Sequence, residues 1–131
     1  MTEQLPMAIQ SSLGKRRMLI VEDEQDISDC LQTFFVSRGF AVNSAFSGEE
    51  AIAHLKDHPA DIVLLDILLP GLSGIEVLRR VKELLPRAKI VMVTGLDQND
   101  LRNQAYRYGA AAYITKPFDF SNTTWAPVLA V

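Results

Sequence analysis

The sequence predicts an α/β fold in which five parallel strands form one sheet and helices cover both of its faces. Five short apolar segments alternate with longer amphipathic segments along the 131 residues. The central segment, residues 62–66, is apolar up to Asp66, as expected of a strand buried on both faces. Four of the five segments lead into a charged or hydroxyl-bearing residue. Strands and helices that alternate at these lengths favour parallel pairing through right-handed crossovers.

The expected elements follow one another in strand–helix order. The predicted strands span residues 18–21, 40–45, 62–66, 89–94 and 111–115, and the predicted helices span residues 26–37, 48–57, 74–85 and 97–108. Ser47, with Glu50 three residues later, fits a capping box at the start of the second helix. Gly39, Pro86 and Gly109 follow the other three helices and stop them. The fourth helix has a thin apolar face, which marks it as a candidate for movement.

The first helix carries its apolar residues on one face at helical spacing. These residues are Ile27, Cys30, Leu31, Phe34 and Phe35. Because Cys30 belongs to this stripe, we expect its thiol to be buried and unreactive. As the only cysteine, it provides neither an internal disulfide nor a cysteine-based metal site.

The composition is that of a single globular domain, with 48% hydrophobic and 22% charged residues. A net charge of −3 argues against a general nucleic-acid or membrane surface. No apolar run approaches the roughly 18 residues of a membrane span, and the N-terminus lacks the charge order of a secretory signal. We therefore expect a cytoplasmic protein. Residues 1–15 are interpreted as a mobile arm, 16–120 as the domain and 121–131 as an atypical C-terminal tail.

Polar side chains stand at the carboxyl ends of four predicted strands. In chain order they are Glu22 with Asp23, then Asp66, Thr94 and Lys116. Parallel strands all end at the same edge of a sheet, and neighbouring strands lie about 4.8 Å apart, so these side chains should converge. Ligands of such sheets bind beyond the carboxyl ends of the strands. We predict the functional site at this edge.

Each of these residue types suits phosphoryl transfer. Three close carboxylates repel one another, and a hard divalent cation such as Mg²⁺ relieves that repulsion. A carboxylate, here Asp66, can attack phosphorus and form an acyl phosphate. Lys116 and Thr94 can neutralise and hydrogen-bond the phosphate oxygens, and positioning and charge neutralisation are the main demands of this chemistry.

Four segments that contain these residues resemble the receiver domain of bacterial two-component response regulators. They are LIVEDE at 19–24, DIVLLDILLPGLSG at 61–74, VTG at 93–95 and YITKPF at 113–118. The resemblance covers residues 17–118. It implies a flavodoxin-like three-layer fold with the strand order 2-1-3-4-5, and a phosphorelay signalling module that catalyses only its own phosphorylation and dephosphorylation. A sensor histidine kinase or histidine phosphotransfer protein would supply the phosphoryl group.

The resemblance also implies the residues of the acceptor site. Asp66 would be the phosphorylated aspartate. Asp23 and Asp66 would coordinate Mg²⁺ together with the backbone carbonyl of Leu68, and Glu22 would take the outer acidic position. The output would pass to an unknown downstream protein, with no direct contact to nucleic acid or membrane; the resemblance leaves homodimer formation open.

A switch is implied in the same way. Thr94 would move toward the phosphate that Lys116 contacts, and Tyr113 would swing inward when Thr94 shifts. The surface of the fourth helix, fifth strand and fifth helix would then change. The peptide bond between Lys116 and Pro117 is expected to be cis.

Two features depart from the family pattern. Leu68 and Leu96 stand at positions that are often polar and that influence how readily water attacks the acyl phosphate, so we expect a long-lived phosphorylated state. The C-terminus contains Pro127 and poor helix formers, so we expect the fifth helix to be short or missing, with at most two turns after Asp119. Either a partner or the chain's own arm or tail would cover the sheet. If the chain is a truncated piece, exposed Phe120, Trp125 and the final apolar residues would drive self-association.

Two other functions are compatible with the same fold. A phosphate-independent interaction domain would keep the fold without switching, and the complete set of polar strand ends argues against it. A flavin carrier would need a phosphate loop after the first strand, where Glu22 and Asp23 are electrostatically unsuitable.

Overall fold

A computed structural model describes residues 14–129 of the chain. Its strands are β1 (Arg17–Val21), β2 (Ala41–Ala45), β3 (Ile62–Leu65), β4 (Lys89–Thr94) and β5 (Ala112–Thr115). Its helices are α1 (Gln25–Ser37), α2 (Gly48–Asp57), α3 (Gly74–Leu84), α4 (Asn99–Arg107) and α5 (Asn122–Leu129). The predicted elements are all present, with ends within two residues of those expected. The predicted N-terminal arm lies almost wholly outside the described residues.

The five strands form one parallel sheet in the order β2-β1-β3-β4-β5. The register pairs Val21 of β1 with Leu65 of β3, and Thr94 of β4 with Thr115 of β5. The strand tips therefore end together at one edge of the sheet. The α/β flavodoxin-like fold class and the order 2-1-3-4-5 are confirmed.

Two apolar clusters fill the space on the two faces of the sheet. On one face α2, α3 and α4 contribute side chains such as Leu55, Leu78 and Ala105. On the other face α1 and α5 contribute Phe35 and Trp125. Alternate residues of each strand point to opposite clusters, because successive side chains of a strand leave opposite faces. None of the helices within the described residues has the length and apolar character needed to cross a membrane.

The capping box predicted for the second helix is confirmed. The backbone N–H of Glu50 donates to the Ser47 hydroxyl oxygen at 3.1 Å, and the Glu50 carboxylate accepts from the backbone N–H of Phe46 at 3.1 Å. These two bonds satisfy backbone donors that have no partner within the helix.

The fifth helix is present and short, with eight residues that include Pro127. Ser121 caps it, since its hydroxyl accepts from the backbone N–H of Thr124 at 3.1 Å. Asp119 supports this cap by accepting from the Thr124 hydroxyl at 2.7 Å. Hydrogen bonds from the Ser121 side chain, the Thr124 hydroxyl and the Ser121 backbone N–H lower the pKa of Asp119 to about 2. The tail thus covers its own face of the sheet, one of the arrangements considered above.

Phe120 is exposed as expected, at 40%, but the expectation of an exposed Trp125 is wrong. Its side chain is fully buried, and its indole N–H donates to the backbone carbonyl of Asp119 at 2.7 Å. Its ring packs edge-on against Phe35 and Phe118, with centroids 5.2 and 5.1 Å away. A single large aromatic residue therefore gives this two-turn helix its attachment to the core.

The expectation of a buried Cys30 is also wrong, since its side chain is exposed. The buried line of α1 runs instead through Ser28, Leu31 and Phe35. Ser28 is tolerated there because its hydroxyl donates to the hydroxyl of Ser44 on β2 at 3.3 Å. Cys30 lies to one side of this line, at the rim of the groove between α1 and Phe120.

Replacing Trp125 with alanine should destabilise the protein by about 3–5 kcal/mol, because the change removes a fully buried aromatic side chain and its indole hydrogen bond. Urea unfolding followed by circular dichroism measures this free energy. Val36→Ala is the control, since Val36 is 52% exposed on α1 and its truncation should change stability by less than about 0.5 kcal/mol. Equal effects of the two substitutions would show that α5 is not part of the core.

Candidate functional site

Backbone hydrogen bonds hold the tips of neighbouring strands together beyond the last paired residues. The N–H of Asp66 donates to the carbonyl of Val21 at 3.1 Å, and the N–H of Lys116 donates to the carbonyl of Thr94 at 2.9 Å. Residues that follow the strands are therefore positioned by the sheet as firmly as residues within them. This explains how a surface site can have well-defined geometry.

Three carboxylates gather at this edge. Oxygen atoms of Glu22, Asp23 and Asp66 all lie within 4.8 Å of one another. Glu22 and Asp66 are buried, with 2% and 4% of their surface exposed, whereas Asp23 is exposed. A charge cluster that is buried at its base and open at one side suits a small ion or group arriving from solvent.

Lys116 lies between the two buried carboxylates. Its ammonium donates to Glu22 at 2.5 Å and to Asp66 at 2.8 Å. Its side chain is only 15% exposed, so solvent screens these charges little. The structure therefore brings together four of the residues predicted from the strand ends.

Burial and charge shift the pKa values of this group in ways that keep Lys116 charged. Burial alone would lower the pKa of Lys116, but the hydrogen bonds to Asp66 and Glu22 outweigh it and raise the pKa. Burial raises the pKa of Glu22, and the hydrogen bond from Lys116 opposes that rise only in part. One fixed positive charge thus remains at the centre of an acidic site near neutral pH.

The loop after β3 holds the Asp66 side chain in place. The backbone N–H of Leu68 donates to Asp66 Oδ1 at 3.1 Å, while Lys116 engages Oδ2. Both carboxylate oxygens therefore have a directed partner. The Leu68 side chain is 58% exposed beside the site. The predicted coordination of Mg²⁺ by the Leu68 backbone carbonyl stays a prediction.

Gly74 lets helix α3 begin directly against this loop. Its N–H donates to the carbonyl of Ile67 at 2.9 Å, and a Cβ at this position would lie 2.0 Å from the Asp66 carbonyl oxygen. Only glycine permits this approach, because the obstructing atoms belong to the backbone. The sequence suggests only a turn here, since a close contact between segments leaves no local signal.

Thr94 and Tyr113 lie on the two strands next to the acidic cluster. Thr94 is fully buried, and its hydroxyl oxygen accepts from the backbone N–H of Leu96 at 3.4 Å. Tyr113 already points inward with 7% of its surface exposed, and its hydroxyl donates to the Leu96 carbonyl. The Lys116–Pro117 peptide bond is cis, as predicted.

The segment 96–102 makes contacts with Tyr113 that sequence reasoning missed. The guanidinium of Arg102 lies over the Tyr113 ring, 4.6 Å from its centre, and pairs with Asp97 at 2.6 Å. Burial raises the pKa of Tyr113, so its hydroxyl remains a donor. The spacing of Asp97 and Arg102 in the sequence could have suggested their ion pair, but it does not indicate that Arg102 packs on Tyr113.

The donor set fits a hard divalent cation. Carboxylate oxygens are the ligands that Mg²⁺ prefers, and Mg²⁺ keeps several water molecules when one or two protein carboxylates bind it. The exposed Asp23 leaves the cluster open to solvent, so such waters have room. No histidine belongs to the cluster, and the sole cysteine lies elsewhere on α1, so softer metals are disfavoured.

Comparison with known families matches residues 18–125 to the response regulator receiver domain. Among curated proteins, the transcriptional regulatory protein DltR of Streptococcus agalactiae is 38% identical over 103 residues. That match covers 79% of this chain and 46% of DltR, so the chain spans about half the length of the curated relative.

Solved structures with the same fold include two at 32% identity. The CheY-like receiver domain protein of Methanospirillum hungatei has a TM-score of 0.79 over 82% of this chain and 86% of that chain. The CheX–CheY–BeF3–Mg²⁺ complex from Borrelia burgdorferi has a TM-score of 0.82 over 88% of this chain and 87% of that chain. The fold of this chain is shared with these proteins.

Replacing Gly74 with alanine should destabilise the protein by about 1–3 kcal/mol or more, because the new methyl group collides with backbone that cannot move aside. Gly95→Ala is the matched control: Gly95 lies at the same edge, and a Cβ there would meet no atom within 4 Å. Thermal and urea unfolding of both variants tests the difference. Equal stability of the two variants would contradict the packing described for α3.

Proposed function

The chain belongs to the response regulator receiver domain family, and we propose that it is a Mg²⁺-dependent phospho-acceptor in a two-component phosphorelay. Asp66 would receive the phosphoryl group from the phosphohistidine of a sensor histidine kinase or a phosphotransfer protein. The observation that carries this proposal is the buried Lys116 ammonium, which contacts Asp66 and Glu22 within a cluster of three carboxylates.

The transfer would form a bond between a carboxylate oxygen of Asp66 and phosphorus while the phosphorus–nitrogen bond of the donor breaks. Leu68 and Lys116 hold the two carboxylate oxygens, which limits the orientations that Asp66 must lose on reaction. The Lys116 ammonium can transfer a hydrogen bond from a carboxylate to the phosphate oxygens. Its charge then offsets the negative charge that phosphorylation adds.

Asp23, Asp66 and the Leu68 carbonyl would hold Mg²⁺, with Glu22 in the outer position. When bound, the ion neutralises charge on the carboxylates and on the incoming phosphate. The exposure of Asp23 and the burial of Glu22 support this division of roles, because the open side of the cluster is where the ion and phosphate arrive.

The switch would pass from Thr94 to Tyr113. A phosphate on Asp66 offers acceptor oxygens to the Thr94 hydroxyl, whose contact to the Leu96 N–H is long at 3.4 Å. The Leu96 backbone also receives the Tyr113 hydroxyl, so movement of this segment and of the tyrosine would be coupled. The surface formed by α4, β5 and α5 would report the change to a protein partner.

The proposed output is a contact with a downstream protein. DltR, a transcriptional regulatory protein, is about twice as long as the matched segment, so its regulatory output is not assigned to this chain. We infer that the chain signals through protein contacts in the cytoplasm, without touching nucleic acid itself. A homodimer is compatible with this output.

Incubation with Mg²⁺ and acetyl phosphate should add one phosphoryl group, detectable by intact mass. The gain should disappear in Asp66→Asn and when Mg²⁺ is chelated beforehand, because the nucleophile or the neutralising cation is then missing. An equal gain in Asp66→Asn would refute the assignment of the acceptor. No gain in folded protein would instead favour the phosphate-independent interaction domain, and Mg²⁺-dependent thermal stabilisation then shows whether the cation site itself is intact.

Leu68→Asn should accelerate loss of the phosphoryl group about threefold to tenfold, because an amide beside Asp66 can orient an attacking water where leucine cannot. Release of inorganic phosphate from the labelled protein measures the rate. Leu84→Asn is the matched control, since Leu84 is an exposed leucine on α3 far from the strand tips. Loss within seconds in the parent protein would contradict a long-lived phosphorylated state.

A further inference from the structure

A second cleft lies at the opposite edge of the sheet, where β1, β3 and β4 begin. Its volume is about 940 Å³, which is within the usual size range of small-molecule sites. Five cationic side chains line it: Lys15, Arg16, Arg17, Arg87 and Lys89. The cleft is therefore separated from the acidic site by the length of the strands.

Within residues 14–129, the positive charge in this cleft is not balanced by carboxylates. Its one carboxylate, Asp61, is already paired with Arg17, which donates from its backbone N–H at 2.8 Å and from its guanidinium at 3.3 Å. Arg16 and Lys89 donate only to backbone carbonyls of α5, at 3.4 and 3.0 Å. Among residues 14–129, Lys15 and Arg87 take part in none of the ion pairs found. In a chain of net charge −3, this concentration of cations indicates an anionic ligand.

Apolar groups form the other wall of the cleft. Leu84, Leu85 and Pro86 line it beside the cations, and Leu84 is 37% exposed. A free phosphate or sulfate would leave this wall uncovered. A ligand with both a planar apolar part and a polyanionic part would cover the wall and neutralise the cations, and arginine guanidinium groups both stack on planar rings and bind phosphate in bidentate fashion.

We propose that this cleft binds a nucleotide, with its base against the Leu84–Pro86 wall and its phosphates among the cations. The cleft is open to solvent, but its volume of about 940 Å³ and its apolar wall suit one small ligand better than the backbone of a nucleic acid, which needs an extended basic surface. The site shares no side chain with the acceptor site, so the inference stands apart from the proposed phosphorylation.

The probe is a fluorescent N-methylanthraniloyl ATP, titrated against the full chain in EDTA so that the acidic site holds no Mg²⁺. The expected result is saturable binding that unlabelled ATP displaces. Arg87→Gln and Lys15→Gln should each weaken binding about tenfold, as for loss of a charged hydrogen bond. Arg107→Gln is the matched control, since Arg107 is an exposed arginine at the end of α4 that does not line the cleft. Asp66→Asn should bind like the parent.

Four results would overturn the proposal: no saturable binding, equal weakening by Arg107→Gln, displacement by inorganic triphosphate as effective as by ATP, or tighter binding to a single-stranded oligonucleotide or to phosphatidylglycerol vesicles. Equal displacement by inorganic triphosphate would show that the apolar wall does not bind the base. Tighter binding to the oligonucleotide or to the vesicles would show that the cations bind a larger anionic partner. Circular dichroism of both cleft variants, whose side chains support no described contact, verifies that they fold.

Discussion

The contact of the Lys116 ammonium with Glu22 and Asp66 is the interaction on which the site depends. Without it, two buried carboxylates would repel each other at the edge of an apolar sheet with no positive charge between them. The lysine places a positive charge between the two carboxylates and joins them only through hydrogen bonds, so each carboxylate can exchange the lysine for another partner. Under the proposed function, an arriving cation and phosphate would redistribute these same charges.

The rest of the fold supports this arrangement from two sides. On one face, α3 reaches the Asp66 loop only because Gly74 allows backbone contact. On the other face, the two-turn α5 is held by Trp125 in an aromatic cluster with Phe35 and Phe118. One buried tryptophan thus gives a short helix the contact area that a longer helix would spread over several residues.

Charge is also divided between the two edges of the sheet. The carboxyl edge carries the carboxylate cluster, and the amino edge carries a basic cleft that contains Arg87 and Lys15. Every strand of a parallel sheet begins at one edge and ends at the other, so residues that precede the strands and residues that follow them lie at opposite edges. A single small domain can therefore present two chemically opposite surfaces.

Apolar periodicity and turn residues are local signals, and they suffice to locate the strands, the helices and the strand tips. The alternation of strands and helices then places Asp66, Thr94 and Lys116 at one edge of a parallel sheet. The exposure of Cys30 and the burial of Trp125 follow instead from packing between segments. Each of these outcomes depends on which face of a helix meets the sheet, and on atoms distant in sequence. The Arg102–Tyr113 contact was likewise invisible, because periodicity predicts an element but not the neighbour packed against it.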